Sequence, residues 1–389
     1  MFTIYGRSYE NGEPLQITIQ GDRIHSVVPA WPRGDIEEWP FIAPGLFDMQ
    51  INGHSGIWFN DKSLTAESVL TVLKQFPRFG VTRLCPTLIT SPLESLAVGL
   101  SAIRDACERH AWADRMVCGC HLEGPYISSE DGPRGAHAKD HVRDVDWSEF
   151  QKLQEISGNR IRLVTLAPEL NGAIEFIKKA TASQVVISIG HTAASCEQIR
   201  AAVDAGARLS THLGNGAHAL IHRHRNYIFE QLSDPRLMVS LIVDGHHLPA
   251  SLVRIFLQIK TPRRTVMTCD AAGWAGCPPG KYQNELGQCE LLDTGRLVIA
   301  GQNELLAGSA LETDVCVMNA IDFAGVSLKE AIDMTSRNPA KILGYETVHL
   351  RRGALADLIV FRMSQVRKRL DIEATIGSGQ LMFGEIVLR

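Results

Sequence analysis

The chain has 389 residues, 45% of them hydrophobic, enough to bury a large core in one big domain or two unequal ones. A formal net charge of −4 leaves neither the basic footprint of a nucleic-acid binder nor a polybasic membrane patch. The nine cysteines form no Cys-x-x-Cys and lie mostly in apolar runs, which reads as the reduced, buried thiols of a cytoplasmic protein. The N-terminus MFTIYGR lacks the apolar h-region of a signal peptide, and no apolar run is long enough to span a bilayer.

The first forty residues alternate in short β-like pieces (FTIYG, LQITIQ, RIHSVV) broken by Asn-Gly and Gly-Asp turns, and the last forty look similar. Between them the texture becomes strand, polar turn, helix, repeated. Strands are predicted at 41–48, 81–88, 116–122, 161–166, 185–190, 207–211, 237–243 and 264–269. Helical patterns fall at 63–79, 91–111, 147–157, 170–181, 195–205, 225–233 and 249–260, with longer insertions at 124–146 and 271–305. Ser195 with Gln198 forms a capping-box pattern, and Gly206 suits the stop of the same helix.

Eight strands alternating with helices fit a (β/α)₈ TIM-like barrel, and no Gly-x-Gly-x-x-Gly supports a doubly wound sheet. The expected organisation is a barrel over 44–346. A small β-sandwich domain, discontinuous, would be built from 1–43 and 347–389. Such barrels carry their active sites at the strand C-termini, where Asp48, Gln50, Thr87, Glu123, His191, His212, Asp244 and Asp270 fall. Polar residues repeated at those positions would be costly as core and are expected as a site.

One carboxylate (Glu123) and two imidazoles (His191, His212) are a ligand set suited to zinc or a similar divalent ion. Asp270, ending the last strand, reads as a general base; fourth ligand and helix cap are the other readings. His137 lies on the long loop after the third strand, as a surface histidine or a functional one. The 217–226 stretch, AHALIHRHRN, is either a solvated helix start or an anion-binding rim. His246 and His247 follow the seventh strand with the same two readings.

Taken in order, HLEGPY (121–126), GAH (135–137), GHT (190–192), THL (211–213) with Asn215, DG (244–245) with His247, TCDA (268–271), LAGS (306–309) and RNPA (337–340) resemble the N-acetylglucosamine-6-phosphate deacetylases of the amidohydrolase superfamily. The resemblance implies metal ligands Glu123, His191 and His212, Asp270 as acid/base, and His137 at the acyl group or sugar. It also implies substrate contacts from Asn215, Gly216, His247, Leu306 and an arginine of 217–226, here Arg223 by its distance from Thr211-His212-Leu213. A homodimer and a small N-acetylated sugar phosphate as partner belong to the same implication.

Two departures stand out. Many superfamily members end the first strand with His-x-His, which helps hold a second metal; Gln50 and Asn52 stand there, and amides are poor zinc ligands. One divalent ion per chain is therefore expected, zinc first, with iron, cobalt and manganese sharing such ligands. His54, two residues on, is the other candidate there. The arginine segment also differs from the family's Arg-Glu-Pro-Gly. The expected reaction is removal of the N-acetyl group from an amino sugar, N-acetylglucosamine 6-phosphate first. The alternatives are hydrolysis of another N-acyl compound, such as an N-acyl amino acid or an unphosphorylated N-acetyl sugar, and a metal-free scaffold without activity.

Overall fold

A computed structural model describes residues 1–31, 35–284, 287–301 and 305–386. Parts of the expected terminal domain (32–34, 387–389) and of the 271–305 insertion (285–286, 302–304) lie outside the described residues.

Eight parallel strands form the barrel: Leu46–Ile51, Val81–Ile89, Cys120–Glu123, Ile161–Leu166, Val186–Ile189, Leu209–Ser210, Met238–Ile242 and Thr265–Thr268. Each is followed by a helix, from Ala66–Leu73 after the first to Thr313–Ala324 after the eighth. The last strand meets the first where Ile51 bridges Ala271 and the Asn52 amide donates to the Ala271 carbonyl (2.8 Å). Asp48 reinforces this seam: its carboxylate accepts from the Thr268 and Thr313 hydroxyls and from the amides of Cys269 (2.8 Å) and Gln50 (3.0 Å). Asp48 is thus a closure residue, not part of the cavity wall as its strand-end position suggested.

Helix Cys196–Ala205 starts with the capping box of Ser195 and Gln198 and stops at Gly206, whose φ of 126° suits glycine. The run FIAPGLFDMQI, taken as one strand beginning at residue 41, is two. Phe41–Pro44 joins the terminal sheet and Leu46–Ile51 the barrel. Most of it is buried on both faces, so it lacks the alternation that marks a change of sheet. The third barrel strand starts later than expected, at Cys120: helix Ala111–Met116 takes the first residue, and Val117 makes only an isolated bridge to Leu84 before Gly119 turns the chain at a φ of 94°.

Both chain ends combine in the small β-sandwich, whose seven strands run in the order 380–384, 369–377, 358–364, 41–44, 2–8, 14–20, 23–29. Phe41–Pro44 joins the two halves, pairing with Leu358–Ser364 on one side and Phe2–Ser8 on the other. Backbone bonds from Ile24 to Ala354 and from Ala356 to Asp22 tie the far edge to the C-terminal half. Its core, including Ile4, Ile17, Ile24, Leu358 and Ile376, is separate from that of the barrel. Each such side chain removed from water contributes about 1.5–3 kcal/mol.

Inside the barrel, Phe47, Met49, Cys85, Leu163, Leu209 and Val266 fill one end against Ala340 and Leu343. Higher up the interior turns polar: Thr165 bonds His121 Nε2 (2.8 Å) and the Thr211 hydroxyl (2.7 Å), which meets Ser188 (2.6 Å). Burial pushes His121 down to about 4 against the opposing pull of the Glu123 charge, so this ring is neutral and structural. Among the described residues no helix is long and apolar enough to cross a membrane.

Candidate active site

The strand ends converge as the alternation of strands and helices requires. Glu123 closes the third strand, while His191, His212 and Asp270 leave theirs in the left-handed region, at φ of 51°, 27° and 55°. Non-glycine residues held there cost about 1–3 kcal/mol each, a cost that persists where surrounding structure enforces it. Here the enforcement is visible. The His191 carbonyl accepts from the Ser128 amide (2.9 Å), and Glu169 grips the following turn through the Thr192 hydroxyl (2.5 Å) and the Ala193 amide (2.6 Å). A Cβ on Gly216 would lie 2.6 Å from His191 Nδ1, so only glycine lets that loop lie against the ring.

Glu123 Oε1 lies 2.9 Å from His212 Nε2 and 3.3 Å from His191 Nε2, and the two imidazole nitrogens are 3.1 Å apart. All three side chains are buried. His191 Nδ1 faces the Pro133 carbonyl at 2.8 Å, and a carbonyl can only accept, so this nitrogen carries the proton. With Nδ1 so engaged, it is Nε2 that faces the Glu123 carboxylate and His212, the nitrogen free to serve as a metal ligand. The donor set and its convergence fit one divalent ion, and the cluster is that of a mononuclear metal site. Burial alone would raise the Glu123 carboxyl, but its bonds to His191 and His212 hold it well below the ordinary range.

Asp270 stands beside this centre. Its Oδ1 accepts from Gln50 Nε2 (3.0 Å) and Asn52 Nδ2 (2.7 Å), and the same Gln50 nitrogen donates to Glu123 Oε1 (2.9 Å). Burial, then the Glu123 charge, push the Asp270 carboxyl up to about 8. His137 packs edge-on against the His191 ring (4.3 Å between centroids), with Nδ1 2.8 Å from the Thr90 hydroxyl. Burial, followed by His191, pushes it down to about 3, which leaves a neutral imidazole able to donate one hydrogen bond.

These residues line a cavity of about 330 Å³. Glu123, His137, His191, His212, Asn215, Gly216, His247, Asp270 and Leu306 all border it. Asp244 lies behind: its Oδ2 holds His247 Nδ1 (2.8 Å) and accepts from Ser309 (3.0 Å), fixing the ring. Arg223 is exposed on its loop and is not among the residues that border the cavity. His54 is turned away, its Nε2 3.2 Å from Glu312 and its ring against Phe76 and Phe79, so it is no substitute ligand.

Sequence reasoning missed the outer wall. Strands Gly280–Asn284, Gly287–Leu291 and Leu297–Ile299 make a small antiparallel sheet inside the 271–305 insertion. Gln288, Cys289 and Ile299 from it border the cavity with Trp58. The alternation of KYQN and QCEL was the available signal. Thr90, just past the second strand, was missed because Thr87 seemed to mark that strand's end.

The model of the amidohydrolase family matches residues 41–382. N-acetylgalactosamine-6-phosphate deacetylase of Escherichia coli O157:H7 is 34% identical over 82% of this chain and 82% of its own length. N-acetylglucosamine-6-phosphate deacetylase of Homo sapiens is 34% identical over 88% and 83%. Among solved structures, N-acetyl-D-glucosamine-6-phosphate deacetylase of Mycobacterium smegmatis, in complex with N-acetyl-D-glucosamine-6-phosphate, superposes with a TM-score of 0.84 at 27% identity. It covers 95% of this chain and 94% of that one. With the sequence match running through barrel and terminal sheet alike, and the buried Glu-His-His centre in place at the strand ends, the chain belongs to the amidohydrolase family.

Proposed function

We propose that the chain is a metal-dependent deacetylase that removes the acetyl group from the nitrogen of an amino sugar, giving acetate and the free amine. The observation that carries this reading is the second carboxylate, Asp270, set beside the Glu123–His191–His212 centre on one cavity floor. Glu123 Oε1, His191 Nε2 and His212 Nε2 would hold one divalent ion, zinc by preference, with iron, cobalt and manganese matching the same donors. When bound, such an ion supplies Lewis acidity, polarising a carbonyl and acidifying water.

The remaining steps belong to the chain's own groups. Asp270 takes the proton of the attacking water and returns it to the amine nitrogen as the C–N bond breaks. His137, neutral and held by Thr90, donates to the acetyl oxygen as negative charge grows there. Asn215, Gly216, Leu306 and the ring of His247 hold the sugar against the cavity wall.

N-acetylglucosamine 6-phosphate is the first substrate to try, since both the human and the mycobacterial relatives are named for it. An unphosphorylated N-acyl substrate is the second reading, favoured by one feature. Among the described residues bordering the cavity there is no Lys or Arg, and the positively charged candidates are histidines. Hydrolysis of N-acetylated sugars with and without 6-phosphate tests both; no hydrolysis of any N-acetyl sugar would refute the proposed activity.

Arg223, exposed and away from the cavity lining of its own chain, is placed in this proposal at the phosphate bound by a second copy, in a homodimer. Leu220 (91% exposed) and Phe229 (53%) flank Arg223 and offer apolar surface for pairing. The mass in solution of a Leu220→Asp variant tests it. Residues 44–346 form the proposed hydrolase domain, with 1–43 and 347–389 as the β-sandwich domain. Nine cysteines without a disulfide suit the reducing cytoplasm proposed as the location.

A further inference from the structure

The first barrel strand ends in two buried amides, and the structure gives both a task. Gln50 is 3% exposed and Asn52 4%. Gln50 Nε2 lies 2.9 Å from Glu123 Oε1 and 3.0 Å from Asp270 Oδ1; Asn52 Nδ2 lies 2.7 Å from the same Oδ1. In the ionised form that acts as base, the Asp270 carboxylate only accepts, and both amides turn their nitrogens to it. Both hydrogens of Gln50 are then used, one on each carboxylate.

We propose that Gln50 and Asn52 are positioning residues that clamp Asp270 by one oxygen, Oδ1, and leave Oδ2 as the oxygen that exchanges protons. The proposal rests on the reading of Asp270 as acid/base. A carboxylate torsion is broad and roughly two-fold, so a single bond would let the group swing. Two donors, one near the end of the first strand and one just past it, converge on one oxygen and remove that freedom. The backbone grips the same segment, because the Asn52 amide donates to Ala271 O at 2.8 Å and Ile51 bridges Ala271. Misplacement of a reacting group by about 1 Å can cost about 10²-fold in rate.

The two amides are not equivalent. Asn52 donates to Asp270 alone, whereas Gln50 also supports Glu123, a proposed metal ligand. Asn52 Oδ1 is buried without a partner in a residue that borders the cavity, which leaves it as an acceptor for a substrate N–H or O–H.

The test compares Asn52→Ala with Gln50→Leu, each assayed on an N-acetyl amino sugar and on its N-trifluoroacetyl counterpart, whose activated carbonyl depends less on a base. Asn52→Ala should keep one equivalent of metal. Its kcat should fall about 10- to 100-fold on the acetyl substrate and clearly less on the trifluoroacetyl one. Gln50→Leu should also release metal faster to a chelator, because outer partners of metal ligands contribute about 10–100-fold in affinity. Equal losses on the two substrates, or loss of metal from Asn52→Ala, would overturn the proposal in favour of a merely structural role. Should the wild type hydrolyse neither substrate, the deacetylase reading fails, and the crystal structure of the double variant decides the clamp by itself. An Asp270 carboxylate turned or split between conformers supports it; one unmoved and single overturns it.

Discussion

The floor and the outer wall of the cavity are built on opposite principles. On the floor, Glu123, His191, His212 and Asp270 stand at the ends of paired barrel strands, buried, most of their polar atoms bonded to other elements. The outer wall comes from a three-stranded sheet inside an insertion and from the half-buried 214–217 turn that leads into the exposed 219–225 loop. The floor is therefore over-determined and the wall is free to differ between relatives. Chemistry should be the property shared across the family, and substrate preference the property this chain sets for itself.

The sharpest way to break that division is to remove a floor ligand. His191→Ala should lose its metal and its activity together, whereas a variant that keeps a full equivalent of metal on elemental analysis would refute the assigned centre. Asp270→Asn comes next: metal retained, turnover down by roughly 10²–10⁴-fold, because the amide keeps the shape but cannot accept a proton. His137→Ala should lower kcat by about 10²-fold with little change in KM, as a donor that strengthens when charge develops is felt mainly in the transition state.

A pH experiment sharpens the same comparison without substrate. Burial and Glu123 raise Asp270 from its ordinary 3.8 to about 8, so the folded, chelated protein holds a proton that the unfolded chain releases. Its stability should therefore fall as pH rises from about 4 to about 8. Asp270→Asn removes this contribution, and its gain in melting temperature over wild type should be larger at pH 8 than at pH 5. An equal gain at both pH values would show that Asp270 is not the group under strain.

The smallest effect is expected on the wall. Arg223→Ala should leave hydrolysis of an unphosphorylated sugar unchanged, since this side chain stands clear of the cavity in its own chain. A selective loss on the 6-phosphate, together with a dimer in solution, would place it in the partner's site.

The sequence by itself determined the barrel, the capping of helix Cys196–Ala205 and the convergence of Glu123, His191, His212 and Asp270 on one floor. Strand alternation and strand-end polarity are local signals, and each residue there occupies a position that the fold class already assigns. Only the tertiary structure decided the roles that depend on distant partners. Asp48 looks like a site residue until Thr268 and Thr313 are seen to donate to it, and His54 like a ligand until Glu312 faces it. Gln50 and Asn52 read as missing ligands, yet their nitrogens lie against carboxylates some 73 to 220 residues away along the chain. A hydrogen bond between strands so far apart leaves no periodicity in the sequence, because its partner is set by barrel closure and not by neighbouring residues.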